Sequence, residues 1–222
     1  SEIKNSKRNL ISFSGLLKYT NAHKIYLELG LKKDFLEEFK TPVLFSFGGS
    51  YRFADWDFLK INASKNFRYP TFNDLYWQPG GNPNLKPETS HQIELSSVLK
   101  FGAFKFQIAP YYIQIKDIIK WVHFSGSSWP PINLENVRSI GFESRADFEK
   151  KWNKHTLSAN LGYSHTKSQN LDTRKQLMYV PFHKAFGGAE YRYGIAGIYL
   201  QGIFNGLTYT SSDENPETSL NP

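Results

Sequence analysis

Apolar and polar residues alternate along most of this chain. In the stretch TPVLFSFGGSYRFAD, Val43, Phe45, Phe47, Gly49, Tyr51 and Phe53 share one face. Leu44, Ser46, Gly48, Ser50 and Arg52 share the other. The same period returns in HQIELSSVLKF, where Ile93, Leu95, Leu99 and Phe101 oppose Gln92, Glu94, Ser96 and Lys100. In SIGFESRADFEK, Ile140, Phe142, Ala146 and Phe148 oppose Gly141, Glu143, Arg145, Asp147 and Glu149. A period of two is the signature of a strand with unlike surroundings on its two faces. About ten such runs are present, at 9–19, 22–33, 42–54, 57–66, 89–101, 103–119, 136–150, 154–166, 181–193 and 195–210. Each is roughly ten residues or more, longer than the usual five or six of soluble sheets and near the nine to eleven that cross a bilayer. The best helical pattern is KKDFLEEFK, Lys32 to Lys40. The run 103–119 changes phase, from Phe104, Phe106 and Ile108 to Tyr111, Ile113 and Ile115, with Pro110 at the switch. A bulge at Pro110 would restore the face.

Connection lengths alternate too. Short links lie in TNA, ADWD, KFGA, KKWNK and YRYGIA, and long ones at 34–41, 67–88, 120–135 and 167–180. Outer-membrane barrels show this asymmetry, with tight turns at one rim and long loops at the other. Aromatics gather at the short ends (Tyr19, Phe53, Trp56, Phe101, Trp152, Tyr191, Tyr193) and at the long ends (Phe67, Tyr69, Trp121, Phe124, Tyr179). Two aromatic girdles are expected from them. The predicted fold is all-β: an antiparallel up-and-down meander of about ten long strands, part of a larger transmembrane β-barrel. A soluble β-sandwich that binds a ligand or acts in adhesion is the alternative. It would need two apolar faces meeting each other.

Composition adjusts this picture in a few places. Aromatic residues make up 16% of the chain, which the girdles absorb. No cysteine is present, so disulfides and thiolate metal sites are excluded. No apolar stretch is long enough for a transmembrane helix, no signal peptide is visible, and neither end resembles a natural terminus. The net charge of +7 is spread over turns and loops, so no basic stripe suited to nucleic acid forms. The six histidines have no metal-ligand spacing. Glu94, Glu143, Asp147 and Glu149 lie on polar strand faces. They suit a lumen, paired with Arg52, Arg145 or a plug, better than a glycosidase pair. No catalytic, metal or cofactor site is expected.

The segment ASKNFRYPTFNDLYW…GNPNLKPETSHQIEL resembles the late barrel region of TonB-dependent outer-membrane receptors. The match runs through Phe67-Arg68-Tyr69-Pro70, Asp74-Leu75-Tyr76, the turn Gly81 to Glu88 with Asn82, Pro83, Leu85 and Pro87, and then Glu94-Leu95. Asp74 stands where the family more often has Glu. A second match, NLENVRSIGFES, carries Asn133 or Asn136, Val137, Gly141 and Glu143, and a third carries Pro181 and His183. The resemblance implies that residues 1–222 are part of a receptor barrel, with a plug domain and final strands that this sequence does not contain. It implies a Gram-negative outer-membrane location and a receptor, not an enzyme. The cargo would be a ferric siderophore, or cobalamin or another metal chelate. TonB would act through the missing N-terminal region, and outer-membrane lipid or lipopolysaccharide would meet rim lysines. In 67–88 the prolines and glycines (Pro70, Pro79, Gly80, Gly81, Pro83, Pro87) are expected to shape the passage, with Leu85 and Tyr76 packed on the inner wall and Glu88 opening the next strand. Arg68, Tyr69, Tyr76, Trp77 and Gln78 are the expected ligand contacts, joined by Trp129 and Tyr179 from later loops.

Overall fold

The computed structural model describes residues 7–21, 24–54, 57–78, 80–122, 129–211, 214 and 219–220. Pro79, Trp56, Phe124, His23 and His123 lie outside them. The strands are β1 (Leu10–Asn21), β2 (Ile25–Leu36), β3 (Val43–Ala54), β4 (Asp57–Arg68), β5 (Glu88–Phe101), β6 (Phe104–Trp121), β7 (Pro131–Trp152), β8 (His155–Asn170), β9 (His183–Tyr193) and β10 (Ala196–Asn205), with one short helix, α1 (Phe72–Tyr76). They form a single antiparallel sheet in chain order, each strand paired only with its sequence neighbours. The sheet is not closed: β1 and β10 do not pair. The ten expected strands are all present, and no second sheet exists among the described residues to make a sandwich.

Register assigns every side chain to a face. The rungs Leu29↔Phe47, Phe47↔Ala63, Ile61↔Leu95 and Leu99↔Phe106 carry the apolar face from β2 to β6. The rungs Phe104↔Phe148, Phe148↔Ala159 and Ala159↔Ala189 carry it on to β9. Its members stay exposed, Leu17, Leu31, Leu161, Ile198 and Leu200 among them. The polar face lines an open trough of about 740 Å³, to which Glu28, Asn62, Gln92, Glu143 and Thr166 all contribute. Side chains from β2 and β8 can share one cavity only if the sheet curls around it. The polar face is therefore concave and the apolar face convex, as in a barrel wall.

Turn chemistry sets the short rim. β5–β6, β7–β8 and β9–β10 are joined by two-residue links whose first residue, Gly102, Asn153 or Gly194, has a φ of 50–57°. A positive φ at that position matches the right-handed twist of the flanking strands.

Several expectations need correction. No bulge forms at Pro110. Glu94 pairs with Tyr111, Ser97 with Ile108 and Pro110 with Phe142, all in unbroken register. The phase change is one of side chains only: Tyr111 and Ile113 face the trough. Lys32 to Leu36 is not helical but continues β2. The expected loop 120–135 is shorter, because β6 and β7 extend to Trp121 and Pro131. At the short rim Tyr19, Phe53, Phe101, Trp152, Tyr191 and Tyr193 are exposed as a girdle requires. At the long rim Tyr69 and Trp121 turn inward to Asp34 and Asp74 instead.

Glycine lets rings lie on the inner wall at two points. A Cβ on Gly141 would meet the His165 carbonyl at 2.3 Å and the Tyr111 hydroxyl at 2.7 Å. The Tyr111 ring crosses there, and its hydroxyl meets Thr166 Oγ1 at 2.6 Å. A Cβ on Gly162 would meet the Phe186 ring at 2.1 Å.

Candidate functional site

The connection from β4 to β5 folds back on the sheet as a built object. Thr71 caps α1: its hydroxyl accepts from the Asp74 N–H at 3.1 Å, and Asp74 Oδ2 accepts from the Thr71 N–H at 2.9 Å. This reciprocal cap satisfies two otherwise orphaned donors. The other Asp74 oxygen accepts from Trp121 Nε1 at 3.0 Å. Below α1, Leu75, Leu85 and Ile119 form a small buried core with Phe39 against it. Gly81 closes the return so tightly that a Cβ would meet the Trp77 nitrogen at 2.6 Å.

Polar clamps tie the loop to the wall. Arg68 holds Glu88 in a two-pronged pair, Nε to Oε2 at 2.7 Å and Nη2 to Oε1 at 2.5 Å. Glu88 also accepts from the Ile119 N–H at 2.6 Å. Asn82 donates to the Pro131 carbonyl at 3.1 Å and accepts from the Asn84 N–H at 3.0 Å. Asn133 accepts from the Lys86 N–H at 2.8 Å and donates to the carbonyls of Lys86 and Asp117 at 2.9 and 2.7 Å. Pro70 is fully buried, and its carbonyl accepts from Arg8 Nη1 at 3.1 Å. Phe67 meets Tyr69 edge-on at 5.0 Å. Pro83 is exposed and Pro87 half-buried.

The expected contact residues divide into two groups. Tyr76 and Trp77 are 42% and 38% exposed, and Gln78 is exposed beside them. Tyr76 stacks on Phe72 at 6.4 Å, and Trp77 stands edge-on to Trp121 at 5.6 Å. Tyr76 does not pack on the inner wall as expected; its neighbour Leu75 does. Trp129 is 53% exposed, and its backbone and the Trp77 ring both approach Gly80. Tyr76, Trp77 and Trp129, with Gln78 beside them, form a crest. Tyr179 is 67% exposed on another loop, with φ 61° and its N–H donating to the Tyr209 carbonyl at 2.8 Å.

Arg68 and Tyr69 sit lower and are engaged by the protein itself. Tyr69 donates to Asp34 Oδ2 at 3.2 Å, and the Arg8 guanidinium lies over its ring at 5.6 Å. Burial, then the hydrogen bond to the Asp34 carboxylate and its charge, push the Tyr69 phenol up to about 12.

On the inner wall, Glu94 and Glu143 line the trough. Arg145 pairs with Asp147 at 2.8 Å, and Lys151 pairs with Glu149 at 2.8 Å. Of the two expected arginine partners, Arg145 makes its pair and Arg52 makes no ion pair among the described residues. The sequence reading missed the anchoring roles of Trp121, Arg8 and Asp34. For Trp121 no local signal existed, because its partner Asp74 is 47 residues away. The described residues contain no cluster of three potential metal ligands. The crest offers stacking faces and hydrogen bonds, which suit binding.

Comparison with known proteins matches this geometry. A family model described as "TonB dependent receptor-like, beta-barrel" fits residues 7–221. The chain is 39% identical over 109 residues to a protein named vitamin B12 transporter BtuB from Vibrio vulnificus, covering 48% of this chain and 18% of that protein. A second of that name, from Photobacterium profundum, is 36% identical over 124 residues, covering 54% and 20%. The chain thus spans about a fifth of these relatives' length. Among solved structures, copper transporter OprC aligns with a TM-score of 0.75 at 17% identity, covering 90% of this chain and 34% of that one.

Proposed function

This chain belongs to the TonB-dependent receptor-like β-barrel family, and from that premise we propose that it forms ten consecutive strands of a larger barrel in a Gram-negative outer membrane. The family consists of receptors and transporters, not enzymes. The complete receptor captures a scarce nutrient at the long-loop rim and imports it, with a plug domain and TonB-coupled energy supplied outside residues 1–222. We assign the cargo to the corrinoids, cobalamin foremost. The relatives named as vitamin B12 transporters support that choice over a ferric siderophore.

The observation that carries this function is the exposed crest of Tyr76, Trp77, Gln78 and Trp129, held by a clamped loop at the long rim beside a polar trough. Rigid aromatic faces bind a flat, partly apolar ligand at low entropic cost. Tyr179 adds a contact from a second loop, and Arg68 and Tyr69 position the crest from beneath. The test is equilibrium binding of cyanocobalamin and a panel of ferric chelates to the full-length receptor, with and without Trp77→Ala. Nanomolar cyanocobalamin binding that weakens at least tenfold in the variant is expected, as for a central aromatic anchor. Binding of a ferric chelate alone reassigns the cargo, and binding of neither removes the receptor function.

A further inference from the structure

Linear spacing predicts no metal site among the histidines, yet the register of β8 and β9 brings two of them together. His165 and His183 are direct cross-strand partners. Both fall on the same alternation as Ala159 and Ala189, which share a rung of the apolar face. The pair therefore stands on the convex side, away from the trough and the crest. The two ring centres are 4.9 Å apart, with their planes tilted by 42°. Imidazoles that share one metal ion at ~2.0–2.1 Å have ring centres roughly 5 Å apart, so the observed separation already meets that requirement.

The surroundings orient both rings. The Tyr163 hydroxyl lies 2.7 Å from His183 Nδ1. In the tautomer that donates Nδ1–H to this oxygen, Nε2 keeps its lone pair for a cation, and a ligating histidine is commonly fixed in this way. His165 Nδ1 is buried and has no hydrogen-bond partner. Its ring is thus not committed to another protein group, and a half-turn that keeps its outline carries that nitrogen to the opposite edge. Phe182 stacks on His165 at 6.4 Å and the Phe142 ring stands 6.3 Å from it, holding the imidazole in place. His183 is exposed. Beyond it comes Gly206, whose N–H donates to the His183 carbonyl at 2.8 Å. A Cβ there would crowd the His183 Cβ at 3.3 Å; glycine leaves that approach open.

The donor set decides the class of ion. No third His, Asp or Glu joins the pair among the described residues. Two neutral imidazoles without carboxylates suit Cu²⁺, Ni²⁺ or Zn²⁺, whereas Ca²⁺ and Mg²⁺ require oxygen ligands. Water or a small anion would complete the coordination. Lys167, the next outward residue of β8, is exposed, and solvent screens its repulsion of a cation. His165 lies ten residues beyond His155, the first residue of β8. On the barrel reading above, with ~3.3 Å per residue and a tilt near 45°, the pair stands roughly 23 Å above the short turns. That height reaches the aqueous edge of an apolar belt about 25 Å tall.

We propose that His165 and His183 form a two-histidine site for a divalent transition-metal ion, Cu²⁺ foremost, with one ring nitrogen of each as ligand and Tyr163 as a positioning residue. The site is separate from the crest and does not depend on the cargo.

The test titrates CuCl2 into the untagged full-length receptor in phosphatidylcholine nanodiscs, with empty nanodiscs as the blank. Equilibrium dialysis counts bound copper, and electron paramagnetic resonance counts the nitrogens bound to it. One equivalent coupled to two nitrogens is expected. His165→Gln and His183→Gln should each weaken that equivalent at least tenfold and remove the two-nitrogen signal. Tyr163→Phe should weaken it about tenfold, the usual loss for a group that orients a ligand, while the two-nitrogen signal remains at saturation. His155→Gln should leave the equivalent intact, because that ring is held at the short rim by Trp152 and the Tyr191 hydroxyl. A second measurement needs no substitution: copper should protect His165 and His183 together from diethylpyrocarbonate, mapped by mass spectrometry. A copper equivalent that persists in both histidine variants, or labelling of the pair that copper does not slow, overturns the site. Heat-modifiable migration on a gel checks that each barrel has assembled, and a wild type that lacks it overturns the barrel reading and the height assigned to the pair.

Discussion

One methyl group at Gly141 would place a Cβ 2.3 Å from the His165 carbonyl and against the Tyr111 hydroxyl. The carbonyl belongs to a neighbouring strand and cannot give way. Gly141→Ala should therefore destabilise the barrel by ~1–3 kcal/mol, as overpacking does, seen as a lower urea midpoint in refolding. Tyr69 gives a second prediction. Its phenol is raised from 10.0 to about 12, first by burial and then by Asp34. The folded state holds the proton longer than the unfolded chain, so stability from this group is complete below about pH 10 and is lost as pH rises through 12. Phenolate absorbance should show one late-titrating tyrosine, and Asp34→Asn should move it back part of the way towards 10. An unchanged late titration would remove Asp34 as a cause.

Among elements, the clamped loop is the informative case. Asn133 alone holds both the N–H and the carbonyl of Lys86. Asn133→Ala should cost roughly 1–3 kcal/mol, the desolvation penalty of unpaired backbone groups. Faster proteolytic nicking within 80–87 would register the loosening, while the strands stay protected. Strands were legible in the sequence because an apolar convex face and a polar concave face impose opposite chemistry on successive residues. That contrast failed where it vanished physically. Tyr111, Ile113 and Ile115 are apolar yet stand on the concave side of β6, so the pattern changed phase while the backbone did not. The helix α1 is five residues long, too short for periodicity. Its readable signal was the Thr71 to Asp74 capping pair, not hydrophobicity. In 32–40 an amphipathic spacing suggested a helix, but cross-strand bonds decided otherwise: Asp34 accepts from the Ser12 hydroxyl at 2.6 Å and from Tyr69 at 3.2 Å. The crest residues were visible as loop aromatics. Their separation from the load carried by Arg68 and Tyr69 was not, because those partners are far apart in sequence.

At the scale of the whole molecule, ten strands curl around a trough without closing. The free edges of β1 and β10 present unpaired backbone groups to any other chain. Residues 1–222 expressed alone should therefore associate in detergent, and size-exclusion chromatography with light scattering should show species larger than one chain. A clean monomer would mean that the edges are capped within the chain itself.

The rings lying over Gly141 and Gly162 also have a magnetic consequence. An aromatic ring shields protons held against its face. The α-protons of Gly141 beneath Tyr111, and of Gly162 beneath Phe186, should resonate well upfield of ordinary strand glycines. The bond from Tyr111 to Thr166 passes over Gly141 and spans β6, β7 and β8. Selective glycine labelling would then yield two resolved signals, one appearing when β6 and β7 pair and the other when β8 and β9 pair, a spectroscopic report on wall assembly that needs no bound cargo.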